Sequence, residues 1–239
     1  SVASLFIHCA SILIALSYLG SLYQIQNNHS EACVYFEKAY AIKNDEKSLV
    51  GLTLSEFKGG NYTKAIEHYK ALVVAHPEKD SYLYNLATCY EQVRDFNNAI
   101  SILKQLITRN PNSVNMAQKL AGLYMETRDL RNAKELYDKV ILKNSPSANT
   151  LYQYAIISSQ LYDTDTAERI FKKVIGMNPD NALAHKDLGV IYLNKRLFDY
   201  AKDEFKTALN LAPDNYDIVL NSDGSLNQNI FMDIYNLNN

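Results

Sequence analysis

The sequence has no tryptophan, only five prolines, eight glycines and three cysteines among its 239 residues. So little glycine and proline argues against an all-β fold and suits helices joined by short turns. The cysteines, Cys9, Cys33 and Cys89, are odd in number and form no C-x-x-C pair, so neither a disulfide framework nor a zinc site is indicated. They read as small buried hydrophobes in a reducing, cytoplasmic setting. Charge of either sign is missing from residues 1–30, which hold no Asp, Glu, Lys or Arg. Over the whole chain the formal charge is −2, and no basic excess suggests nucleic acid.

Motifs of catalysis are missing too. There is no G-x-x-x-x-G-K-S/T, G-x-G-x-x-G or G-x-S-x-G, so no cofactor and no catalytic residue is expected. The five histidines lie at no metal-ligand spacing, and no metal site is expected. Asp163-Thr-Asp165-Thr has the form of a phosphatase nucleophile loop but falls between two helical patterns, where capping residues belong. Asn221-x-Asp223-Gly224 fails as a calcium loop, because Val219 and Ile230 stand where ligands would be needed. The sequons at Asn28 and Asn61 lie in turns and matter only in a secreted chain.

What is present is a period. Residues 182–215 read as two amphipathic helices with a tight turn, and the same skeleton recurs toward the N-terminus. Counting each unit from its first residue, position twenty is Ala32, Ala65, Ala99, Ala133, Ala167 and Ala201, at one interval of 33 and then intervals of 34. Position twenty-four is bulky: Phe36, Tyr69, Leu103, Tyr137, Phe171, Phe205. Position eight is small: Gly20, Thr53, Ala87, Ala121, Ala155, Gly189. Pro77, Pro111, Pro179 and Pro213 close four units, and Pro146 comes one place late in another. Small residues at eight and twenty let two helices cross closely, and the bulky one fills the wedge beside them. A single pair cannot bury such a face, so neighbours must stack.

This skeleton resembles the tetratricopeptide repeat, which shares the 34-residue length and the L-G-x-x-Y, A-x-x-x-F and P anchors. Leu49, Leu83 and Leu151 stand where the family usually has tryptophan. The resemblance implies an all-α, right-handed α-solenoid of about six helix-turn-helix units, at 13–45, 46–79, 80–113, 114–147, 148–181 and 182–215. Segment 1–12 is then an extra helix or the remnant of a preceding unit. Residues 216–239 read as a turn and a capping helix or tail, with Leu226, Ile230, Phe231, Ile234 and Leu237 at helical spacing.

The apolar run at 1–20 has three readings: the opening helix of the first unit and its extension, a membrane anchor lacking the usual positive flank, or a surface for self-association. The first is favoured, since Leu19, Gly20 and Tyr23 match the repeat.

The resemblance also implies a groove lined by the first helices of successive units. At its N-terminal end it would carry Ser17, Ser21, Lys47, Val50 and Leu54. Its candidate partner-binding residues are Tyr84, Asn85 and Thr88; Gln118 and Lys119; Tyr152, Gln153 and Ile156; and Lys186. Tyr84 and Tyr152 read either as anchors for a protein or peptide partner or as packing against the next repeat. The carboxylate grips of co-chaperone relatives are mostly missing, with Val50 and Leu54 in two of their places. The expected function is a non-catalytic interaction scaffold. Its alternatives are the regulatory or substrate-presenting array of a larger enzyme and a membrane-anchored assembly factor.

Overall fold

The protein is seen in a computed structural model that describes residues 2–212, with side chains from Cys9 onward. The expected capping helix at 216–239 and Pro213 lie outside the described residues. Within them the chain forms twelve α-helices and no strand. It divides into two compact units, one through Leu123 and one from Tyr124.

The first unit holds α1 (Val2–Ile25), α2 (His29–Ile42), α3 (Glu46–Lys58), α4 (Tyr62–Ala75), α5 (Asp80–Gln92), α6 (Phe96–Arg109) and most of α7 (Val114–Glu126). The second holds the end of α7, then α8 (Leu130–Lys139), α9 (Ala148–Gln160), α10 (Thr164–Met177), α11 (Ala182–Asn194) and α12 (Phe198–Leu211). Residues 2–12 form no separate helix; they run on into α1 without a break.

Local chemistry sets the helix starts. Asn28, Asp45, Asn61, Asp95, Asp129, Ser147, Asp163 and Asn181 each accept a hydrogen bond from the backbone N–H three residues on. Each cap satisfies a donor that the first turn leaves without an intrahelical partner. Asp45 shows the consequence: the Ser48 amide holds its carboxyl below the usual range.

The first helix of every pair ends the same way. Asn27, Gly60, Arg94, Arg128, Tyr162 and Arg196 all take positive φ, between 58° and 80°. The next residue's N–H then reaches back over the turn, as Asp95 does to Tyr90 O (2.8 Å) and Leu197 to Tyr192 O (2.9 Å). This is the Schellman closure, which caps orphan carbonyls through a left-handed residue. Only Gly60 adopts that backbone without a steric cost to its side chain.

Packing follows the repeat skeleton. The alanines at position twenty are buried, as are the bulky residues four places on. In the first unit Phe36 lies in a cluster with Ala32 and Leu52, flanked by Tyr23 and Cys33. Its ring also covers Gly20 and Gly51 so closely that a Cβ on either would clash. In the second unit Phe171 and Val174 are fully enclosed, and Phe205 covers Gly189.

One pair departs from the pattern. Helix α8 stops at Lys139, ten residues long, and a 3-10 turn at Ile141–Lys143 follows. Ser145 then takes φ 49° ahead of Pro146, and Ser147 restarts the chain as the cap of α9. The late proline thus coincides with a shortened second helix.

Candidate functional site

The candidate residues fall on first helices in both units, and each unit has its own arrangement. In the first unit, α5 turns Leu83, Leu86, Ala87 and Tyr90 into the core. That periodicity leaves Tyr84, Asn85 and Thr88 half-buried at its flank. Gln118 on α7 is exposed, and Lys119 is half-buried.

Tyr84 and Lys119 meet: the Lys119 ammonium lies 5.6 Å from the centre of the Tyr84 ring. Lys119 also forms an ion pair with Glu91, about two helical turns along α5 from Tyr84. The cation is therefore compensated, and the local surface is close to neutral. The Tyr84 hydroxyl has no hydrogen-bond partner among the described residues.

Asn85 is engaged differently. Its amide donates to the Tyr69 hydroxyl on α4 at 3.1 Å. Burial pushes the Tyr69 phenol up to about 12, so it stays protonated and its oxygen serves as acceptor. Asn85 thus satisfies a buried group and ties α5 to α4. Thr88 donates back to Tyr84 O at 3.0 Å, an intrahelical bond.

At the start of the same unit, α1 and the N-terminus of α3 enclose a cavity of about 250 Å³. Ile14, Ser17, Tyr18 and Ser21 line it from α1, and Lys47 and Ser48 from α3. Ser17 and Ser21 donate to the carbonyls of Leu13 and Ser17, one turn back, both at 2.9 Å.

In the second unit, α9 presents Tyr152, Gln153 and Ile156, all half-buried, and α11 presents Lys186. Tyr152 donates to Asp187 Oδ2 at 2.6 Å, and its ring meets Phe171 edge-on at 5.8 Å. Burial first, then the Asp187 charge, pushes the phenol far up. Lys186 pairs with the other oxygen of Asp187 at 2.9 Å. Tyr152 therefore joins α9, α10 and α11 and has little left for a partner.

Two carboxylates organise these patches, and neither was among the expected residues. Glu91 sits at position twelve of its repeat, a groove position in the resembled family, so its signal was present. Asp187 sits at position six, where only contact with Tyr152 gives it meaning.

No group of three or more His, Cys, Asp or Glu is gathered to hold a metal ion among the described residues. Nor, among them, is any helix long and apolar enough to cross a membrane. On α1, Ile14, Tyr18, Leu22 and Ile25 are nonetheless exposed.

Comparison with known proteins adds the following. The family model described as Tetratricopeptide repeat matches residues 91–153 and 160–221. The one described as Anaphase-promoting complex, cyclosome, subunit 3 matches residues 25–106. A tetratricopeptide repeat protein from Parabacteroides merdae is similar over 87% of this chain and 96% of its own, with 17% identity and a TM-score of 0.64. A crystal structure of MamA is similar over 68% of this chain and 95% of its own, at 23% identity and a TM-score of 0.62. A chain of the APC/C hetero-tetramer Cut9–Hcn1 is similar over 86% of this chain and 41% of its own, at 17% identity and a TM-score of 0.50. At these identities the solved structures speak to the fold. No curated protein sequence matches the chain.

Proposed function

Because the chain belongs to the tetratricopeptide repeat family, we propose that it is a protein-interaction scaffold without catalysis of its own, which holds a partner segment on the faces of its first helices. The observation that carries the reading is Tyr84. Its ring is half-buried and held by Lys119, while its hydroxyl is left without a partner among the described residues. A rigid aromatic with a free polar tip is well suited to anchor a peptide, because little side-chain entropy is lost on binding.

The surroundings support the same reading. Lys119 and Glu91 compensate each other, so charge neither repels nor selects a partner strongly. Gln118 offers amide groups that can bond a peptide backbone. Matches to a subunit of a multiprotein complex and to a chain of a hetero-tetramer agree with a role in holding other proteins.

The test compares capture of partners by the natural chain and by Tyr84→Ala, with folding checked by circular dichroism. Loss of a captured protein with Tyr84→Ala supports the reading. Capture unchanged by Tyr84→Ala and by Gln118→Ala overturns it. Tyr152→Ala serves as a contrast and should act on melting temperature, since its hydroxyl is held by Asp187.

A further inference from the structure

The repeat at 182–215 departs from the skeleton at two positions that meet. Position four is apolar in the other repeats: Leu16, Leu49, Leu83, Ala117 and Leu151. Here it is His185. Position twenty-three is Ile102, Leu136 and Ile170 in the three preceding repeats, and here it is Glu204. In the repeat just before, Leu151 and Ile170 at these two positions are both buried. The second unit therefore holds an apolar pair where its last repeat holds histidine and glutamate. Apolar residues of similar volume often stabilise as well as a buried ion pair, or better. Stability alone does not call for the exchange.

The geometry of the pair supplies a reason. His185 is 8% exposed. Its Nε2 lies 3.0 Å from Pro179 O, and its Nδ1 lies 2.6 Å from Glu204 Oε2. A carbonyl oxygen only accepts, so Nε2 carries a hydrogen. A carboxylate also only accepts, so the second contact needs a further proton, on Nδ1 or on the carboxyl. Without it two acceptors would face each other in a buried contact, which is costly. The contact thus holds one proton more than a neutral imidazole and a carboxylate bring to it.

Neighbouring groups do not replace that proton. Among the described residues, Glu204 is the acidic group within ion-pair reach of His185. On α11, Lys186 and Asp187 pair with each other. From α10, Ile170, Phe171 and Val174 are buried, whereas Arg169, Lys172 and Lys173 are exposed. Asp180, in the loop before α11, is exposed too. On α12, Lys202, Asp203 and Lys206 stand one or two residues from Glu204, a spacing at which helical side chains do not face each other.

We propose that His185 and Glu204 form a pH-sensitive clasp: a shared proton ties α12 to α11, and its loss as pH rises loosens this helix pair. Histidine is the side chain that ordinarily changes charge between about pH 5 and 8. The folded contact requires the proton and the unfolded chain does not. Its contribution is therefore present at acid pH and is lost as pH rises. The clasp uses none of the residues of the Tyr84 reading and stands apart from it.

The test is thermal melting of the full chain from about pH 5.5 to 8.5, beside His185→Leu/Glu204→Ile, which copies the repeat before it. The natural chain should lose about 2–4 °C relative to this variant across the range. Amide exchange in α12, corrected for the intrinsic effect of pH, should quicken in the natural chain and not in the variant. Glu204→Gln is the second variant, and it decides by itself if the double variant fails to fold. Its amide can donate to Nδ1 of a neutral imidazole, so the contact remains and the pH dependence should vanish. A melting difference that stays constant with pH marks a purely structural pair and overturns the proposal. So does α12 exchange that is alike in all three chains, or a pH dependence that survives Glu204→Gln.

Discussion

Phe205 lies across Gly189, so that a Cβ built on the glycine would sit 2.7 Å from the ring. The same relation joins Phe36 to Gly20, at 2.8 Å. It gives the repeat skeleton a direct physical meaning: the small residue of the first helix makes room for the bulky residue of the second. Gly189→Ala gains about 1 kcal/mol in helix propensity. Displacing a packed ring costs about 1–3 kcal/mol. The second effect wins, and thermal melting should show a net loss of about 1 kcal/mol. In a Phe205→Leu background the ring is gone, and the same change should become stabilising.

The six left-handed turn residues predict opposite responses to glycine and alanine. Arg94→Gly should stabilise by up to about 1 kcal/mol, because relief of a left-handed side chain outweighs the added freedom of the unfolded chain. Gly60→Ala, with φ 80°, should destabilise by about 1–2 kcal/mol although the added Cβ would meet nothing within 4 Å. Urea unfolding of the two variants checks both signs.

Two carboxylates should respond to pH in opposite directions. Glu168 accepts from Lys172 at 2.6 Å and Lys195 at 2.7 Å, and these bonds hold its carboxyl below the usual range. Its contribution is therefore present above the unfolded value of about 4.3 and is lost as pH falls through the folded value. Glu168→Gln should cost up to about 1 kcal/mol near pH 7 and little near pH 3. Glu56 is the reverse case. Burial raises its carboxyl despite the 2.7 Å bond to His68. Its contribution is present below about 4.3 and is lost as pH rises through the folded value. The stability of Glu56→Gln relative to the natural chain should accordingly rise with pH.

The three cysteines should separate by reactivity. Burial pushes the Cys33 and Cys89 thiols up to about 11, so little thiolate forms at neutral pH. Cys9 is exposed. Titration with a thiol reagent should give one fast equivalent in the native protein and three in denaturant. Fast reaction of Cys89 in the native protein would show that α5 opens locally.

Much of the helical order was legible because it depends on residues near in sequence. Alanine at a 34-residue interval and the cap at Asp163 announce themselves. The positive φ of Arg94, Arg128, Tyr162 and Arg196 was hidden, because their side chains do not carry the glycine signal; only Gly60 did. Gly51 carries no such signal in the sequence, yet from the next repeat it forms the floor under Phe36. The difference between Tyr84 and Tyr152 was also out of reach. Both stand at position five, and only the 35-residue jump to Asp187 distinguishes them. The run into α1 was ambiguous for another reason: with no charge in residues 1–30, nothing marks where one segment ends and the next begins.

The most direct test of the first-helix reading is photo-crosslinking from two positions. A photoreactive residue replaces either Gln118, on the face shared with Tyr84, or Gln105, exposed on the second helix α6. The reading predicts that the partner crosslinks from position 118, and that Tyr84→Ala abolishes the product. Crosslinking from position 105 alone would contradict it and place the partner on the second helices.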